Sequence, residues 1–156
     1  MWRAFQRYRA LNPEARKLFW RAAVLLPQIG ISLRLRGFKR TLEALQQSPP
    51  SSAAPTQTKS ATTADAVQMT CRMTKAAVRY GLIRPTCLVE SLALWYLLER
   101  QEIPVSLRIG VRKTTHKFEA HAWVEYAGAA LNQTEQQHQH YAVFENAFSD
   151  LPGEKP

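Results

Sequence analysis

Apolar positions recur along this chain first at helical and then at strand spacing. Leu18, Phe19, Ala22, Leu25, Leu26 and Ile29 follow the three-and-four rhythm of one helix face. Asn12 and Pro13 precede them as an N-cap and a first helical position, with Glu14 in the first turn. Pro27 lacks the N–H that continues a helix, so a kink or an end is expected there. A second basic helix would carry Leu35, Phe38, Leu42 and Leu45 on one face. Val67, Cys71, Thr74 and Val78 mark a further helix, capped by Thr63 and closed by Gly81. Pro85 halts any continuation, and Thr86 stands as N-cap to a new helix whose first residue is Cys87. Its face reads Leu88, Ser91, Leu92, Trp95 and Leu98 or Glu99, with Trp95 as core anchor.

Beyond Pro104 the period changes to two. Val105, Leu107, Ile109 and Val111 alternate with Ser106, Arg108 and Gly110, as in a half-buried strand. Phe118, Ala120, Ala122, Val124 and Tyr126 alternate with Glu119, His121, Trp123 and Glu125. Ala127 and Gly128 supply a turn, and residues 129–133 return as the partner strand. Tyr141, Val143 and Phe144 form a short apolar patch before the tail turns to Pro, Gly and charge. Helices first and a small antiparallel sheet afterwards imply an α+β fold.

Between the two halves lies "QQSPPSSAAPTQTKSATT", a stretch without a large apolar residue. Such a segment buries too little to offset its ordering entropy and reads as a flexible linker. The expected organisation is a basic helical region at 1–45, a linker at 46–63, an α+β domain at 64–150 and a tail at 151–156.

Charge sharpens this division. Residues 1–40 hold ten Lys and Arg against Glu14 alone, a net +9, and the remaining eleven bases and eleven acids cancel. The basic helices therefore suit an acidic protein face or an anionic membrane surface. Trp2, Phe5 and Tyr8 interleave with arginines, but no nucleic-acid-binding motif is present, and no nucleic-acid partner is expected. The apolar run around Pro27 is about a dozen residues long where a membrane span needs roughly 20. With no small-residue cleavage site after it, a secretory signal is not expected. Two cysteines, Cys71 and Cys87, match no zinc or redox spacing and favour a reducing cytoplasm.

The position of Cys87 carries the chemistry. The first residues of a helix present unpaired N–H groups and the positive end of the macrodipole. A thiolate is stabilised there, and the same N–H groups can donate to an oxyanion. His121, on a strand downstream, is the candidate base. A third group would orient its ring, and its identity depends on the hairpin register. A two-residue loop pairs Trp123 with Asn132 and His121 with Thr134, so Asn132 shares the face of His121. A three-residue loop pairs Trp123 with Gln133 and His121 with Glu135. Cys71 reads as a core residue, His116 as a loop residue, and His138 and His140 as loop residues and not metal ligands. No metal or cofactor is expected.

"PTCLVESLALWYLLERQEIPVSLRIGVRK" followed by "FEAHAWVEYAG" resembles the stand-alone protease of lasso-peptide biosynthesis, a member of the transglutaminase-like, papain-like cysteine proteases. The match rests on the Cys-Leu at a helix start, the Ser four residues later, the "RIGVRK" strand and the "AHAWVE" strand. The resemblance implies a cytoplasmic enzyme that removes the leader from a ribosomally made precursor peptide, with Cys87 as nucleophile and His121 as base. Where that family has an Asp as third residue this chain has "LNQTE", with Gln133 nearest the matching place. The implied partners are the precursor's leader, a separate small leader-recognition protein and an ATP-using cyclase. Two other readings stand beside it. One is acyl transfer to an amine at the same Cys and His. The other is a non-catalytic binding module with a basic helical arm.

Overall fold

The computed structural model describes residues 12–47, 62–81, 83–113, 118–132 and 142–143. Three helices precede a four-stranded antiparallel sheet: α1 (Pro13–Gln47), α2 (Thr63–Tyr80), α3 (Cys87–Glu99), β1 (Ser106–Lys113), β2 (Phe118–Tyr126), β3 (Ala129–Ala130) and β4 (Ala142–Val143). The α+β class and the order of elements agree with the sequence pattern.

Helix α1 opens as expected, with Asn12 Oδ1 accepting from the Ala15 N–H at 2.7 Å. It does not stop at Pro27. The residues on either side, Leu26 and Ile29, are both buried in the same core, and that packing outweighs one missing backbone bond. The break comes at Gly37, whose φ of 77° and ψ of 176° suit a residue without a Cβ. Ser32 Oγ and Thr41 Oγ1 lie 2.9 Å apart. Nine residues of unbroken helix would hold them about 13 Å apart, so the chain turns back at Gly37. Thr41 Oγ1 also donates to the Gly37 carbonyl at 2.8 Å. The expected face of the second segment is divided by this turn: Leu42 is buried, but Leu35 is 79% exposed.

The cap of α2 is Thr62, one residue earlier than expected. Its Oγ1 accepts from the Asp65 N–H, and the Asp65 carboxylate accepts from the Thr62 N–H, a reciprocal capping box. Gly81 ends the helix in extended backbone, its N–H donating to Ala77 O at 2.8 Å. A Cβ there would stand 2.4 Å from that oxygen, so only glycine permits the approach.

Helix α3 is the centre of the molecule. Val89, Ser91, Leu92, Ala93, Leu94, Leu97 and Leu98 are all buried, which covers most of its circumference. Trp95 is only half-buried, and the aromatic sealed in the interior is Trp123, 1% exposed. A one-sided stripe could not foresee this, because α3 is packed by α1, α2 and β2 together.

The sheet order is β3-β2-β1-β4. Leu107, Ile109 and Val111 of β1 stand opposite Val124, Ala122 and Ala120 of β2. The apolar patch of the tail supplies β4, which pairs Val143 with Gly110 and Ala142 with Val111. Ala22, Leu26, Ile29 and Leu42 from α1 share one core with Val67, Leu92, Leu98, Leu107 and Val124. The helices of the basic region are thus packed into the same body as the sheet. Residues 48–61, most of the expected linker, and the tail at 151–156 lie outside the described residues.

Candidate functional site

Cys87 is the first residue of α3, as the Pro85-Thr86 pair predicts. Thr86 Oγ1 accepts from the Val89 N–H at 3.4 Å and Thr86 O from the Glu90 N–H at 3.0 Å. These bonds set the helix start and leave the thiol at its mouth, partly exposed. Glu90, in the same first turn, is half-buried. Burial pushes its carboxyl above the ordinary range, and the positive charge of Lys75 only partly offsets this.

Ser91 stands four residues after Cys87, on the same helix face and about 6 Å further along the axis. It is fully buried. Its Oγ donates to the carbonyl of Ala122, the residue after His121, at 2.8 Å. The carbonyl of Val124 points to the β3 side of β2, where it accepts from the Leu131 N–H at 2.8 Å. Main-chain groups alternate sides along a strand, so the carbonyl of Ala122 points to that edge too. β3 covers only Glu125 and Tyr126. The stretch of edge beyond it receives α3 through Ser91, and the Cys87–Ser91 face lies alongside the strand that carries His121.

His121 is half-buried in the middle of β2, opposite Gly110, which contributes no side chain beside the ring. Its ring stacks on Trp123, with centroids 6.2 Å apart and an interplanar angle of 21°. Trp123 Nε1 donates to Glu125 Oε1 at 2.9 Å, and Arg108 Nε donates to Glu125 Oε2 at 3.0 Å. An Arg108–Glu125–Trp123 chain thus braces the imidazole from one side. Partial burial holds the His121 ring below its ordinary pKa of 6.5. A lowered value keeps the neutral, proton-accepting form present into mildly acidic solution. If His121 is the base, the acid limb of a kcat/KM–pH profile is expected to show half-loss below pH 6.5, about the ordinary histidine value. Half-loss above that value would assign the limb to another group.

The hairpin register is now fixed. Tyr126 pairs with Ala129 and Glu125 with Ala130, a two-residue turn with positive φ at both Ala127 (49°) and Gly128 (80°). Of the two registers open to the sequence, this one brings Asn132 toward Trp123. The Asn132 amide, however, is engaged elsewhere. Its Oδ1 accepts from the Val124 N–H at 3.0 Å, replacing the strand carbonyl that would otherwise serve it. Its Nδ2 donates to Ser91 Oγ at 2.9 Å. Asn132 therefore acts as a strut between β2 and α3 and not as the group on the imidazole. Gln133 and Glu135, with His116, His138 and His140, lie outside the described residues. Among the described residues no group of three His, Cys, Asp or Glu side chains is placed to hold a metal ion.

Trp123 and Glu125 were read from sequence only as face residues, and Ser91 as a face residue and one feature of the resemblance. The hint at Ser91 was a hydroxyl within an otherwise apolar helix, four residues from the cysteine. Cys71 behaves as a packing residue, half-buried against the main core. Burial raises its thiol to about 11, with Lys75 and a backbone hydrogen bond acting weakly the other way. At pH 8 about a thousandth of it is ionised. Limited iodoacetamide at pH 8 is therefore expected to label Cys87 well before Cys71, read by peptide mass mapping; equal rates would show that burial does not silence Cys71.

No curated protein and no solved structure matches the chain. A family model described as the Transglutaminase-like superfamily matches residues 23–146. That span takes in part of α1, all of α2 and α3, and the sheet. It supports chemistry of the cysteine-peptidase or acyl-transferase kind, which the thiol at a helix mouth and the strand histidine also suit. With more than half its length covered, this chain belongs to the transglutaminase-like superfamily.

Proposed function

We propose that this chain is a cysteine peptidase that cleaves the leader from a lasso-peptide precursor. One observation carries the peptidase reading: the Ser91–Ala122 hydrogen bond holds the face of α3 that begins with Cys87 against the strand bearing His121. The lasso-peptide assignment rests on the resemblance of residues 85–132.

The reaction follows from the two elements. His121 takes the thiol proton, and Cys87 Sγ attacks the carbonyl of the last leader residue. The N–H groups at the start of α3 donate to the oxyanion. Collapse breaks the C–N bond, and the amine of the core peptide leaves with the proton from His121. The leader remains as a thioester on Cys87. Water, deprotonated by His121, then releases it as a carboxylate and restores the thiol. An amine in place of that water gives an amide, and membership of the transglutaminase-like superfamily keeps this second outcome open.

In this reading the enzyme works in the cytoplasm with a separate leader-recognition protein, and an ATP-using cyclase closes the ring on the released core. Arg34, Arg36, Lys39 and Arg40 offer positive charge for an acidic partner. The test is incubation of precursor, recognition protein and purified enzyme, with product masses read directly. A leader fragment heavier by one water establishes hydrolysis. A leader joined to an added amine establishes transfer. An intact precursor in both cases leaves the non-catalytic binding module as the better description.

A further inference from the structure

Helix α1 has two apolar faces where a surface helix needs one. Ala15, Leu18, Ala22, Leu26 and Ile29 are buried in the core clusters. At 100° per residue, a second set falls roughly opposite, within an arc of about 80°. It comprises Lys17, Trp20, Val24, Gln28, Ile31 and Leu35, all exposed. The apolar members are exposed by 58% at Trp20, 53% at Val24, 58% at Ile31 and 79% at Leu35. Exposed apolar residues are ordinary when scattered, but a continuous row on one helix face marks an interaction surface. From Trp20 to Leu35 the row runs about 22 Å.

Cations edge the row, with Lys17 on it, Arg21 on one flank and Arg16 and Arg34 on the other. No acid occurs between Glu14 and Glu43. Beside Trp20 and Val24 a cavity of about 670 Å³ opens between α1 and the end of α3, bordered by Lys17, Arg21 and Arg100. Tyr96, Leu97 and Gln101 line it, at the opposite end of α3 from Cys87, so this surface is separate from the thiol.

We infer that this face of α1 rests on an anionic lipid surface. An interfacial helix places aromatic and aliphatic residues in the acyl boundary and cations among the headgroups, which is the arrangement of this row. A docked peptide helix would need a groove along its whole length. The cavity here borders only Lys17 to Gln28, while Leu35, the most exposed member, lies beyond it. A fluid surface accommodates that profile. The helix is long and apolar enough to span a bilayer by length and composition. Spanning would withdraw Ala22, Leu26 and Ile29 from the shared core, so the helix lies along the surface.

The test is co-sedimentation of the full chain with two kinds of vesicle. One is phosphatidylcholine alone; the other contains about 30% phosphatidylglycerol, an anionic fraction large enough to attract basic segments. The chain is expected to pellet with the anionic vesicles, at least about tenfold more tightly than with neutral ones, and to be released by salt. Trp20→Ser with Leu35→Ser, and separately Arg16→Glu with Arg21→Glu, are each expected to weaken binding at least about tenfold. Circular dichroism melting and leader cleavage in solution should stay as in the parent, which keeps this inference separate from the proposed activity. Absence of the parent from the anionic pellet, equal binding to both vesicles, or variants that bind like the parent would overturn it. So would light scattering that shows the row joining two copies of the chain without lipid binding.

Discussion

Cys87→Ala is expected to lower leader cleavage by about a thousandfold or more, because the covalent route has no second sulfur to use. Cys71 cannot replace it, since that thiol is half-buried against the core and largely unionised at neutral pH. His121→Ala should produce a loss of similar size, because the thiol then keeps its proton and the leaving amine receives none. Combining the two should cost little more than either alone, as expected for groups that act as a unit. Cys71→Ala should leave the rate within about threefold, its cost appearing as a stability loss of about 1 kcal/mol. Product formation followed by chromatography, with circular dichroism to establish folding, checks all four variants. A folded Cys87→Ala enzyme that still cleaves, or a folded Cys71→Ala enzyme that does not, would end the assignment of Cys87 as nucleophile.

Ser91→Ala is expected to be the most damaging single change outside the reacting pair. Its hydroxyl is fully buried and makes two bonds, to Ala122 O and from Asn132 Nδ2. Alanine leaves both partners buried without their bond, a stability loss of about 2–3 kcal/mol. Asn132→Ala deprives Ser91 of one partner and the Val124 N–H of its acceptor, so a comparable loss is expected. The double variant should lose less than the sum of the single losses, because both remove one shared bond. Activity adds a readout that mere destabilisation would not move. The strut holds the mouth of α3 against β2, so kcat should fall about tenfold with KM nearly constant. The acid limb should stay where His121 places it. Denaturant melts and pH profiles of kcat/KM measure both effects. An unchanged kcat in a variant with the full stability loss would reduce Ser91 and Asn132 to structural residues.

How far the site could be read in advance depended on the range of each signal. Thr86 before Cys87, and the Ala127-Gly128 turn, are local, and both elements form where the neighbouring residues direct. His121 on a strand followed from the period of two. The register lay one residue beyond what that pattern resolves, because either loop length keeps the alternation intact. Even the observed register did not reveal the role of Asn132, whose amide serves Val124 and Ser91. Alternation placed Trp123 on one face with Glu119, His121 and Glu125, yet it is sealed in the interior. β2 is covered on both sides there, and alternation describes only strands with one wet face.

By itself the sequence determined the order of elements, a thiol at the mouth of a helix, a histidine on a strand and the placing of positive charge, since each depends on residues a few positions apart. The tertiary structure alone decided that α1 turns at Gly37 and not at Pro27, that Trp20, Val24, Ile31 and Leu35 stay exposed on one face of α1, and that Ser91 joins α3 to β2. The bonds of Ser91 cross 31 and 41 residues of chain. Local propensity carries no information over such separations, and only the packed core, by closing those loops at once, selects which buried polar groups meet.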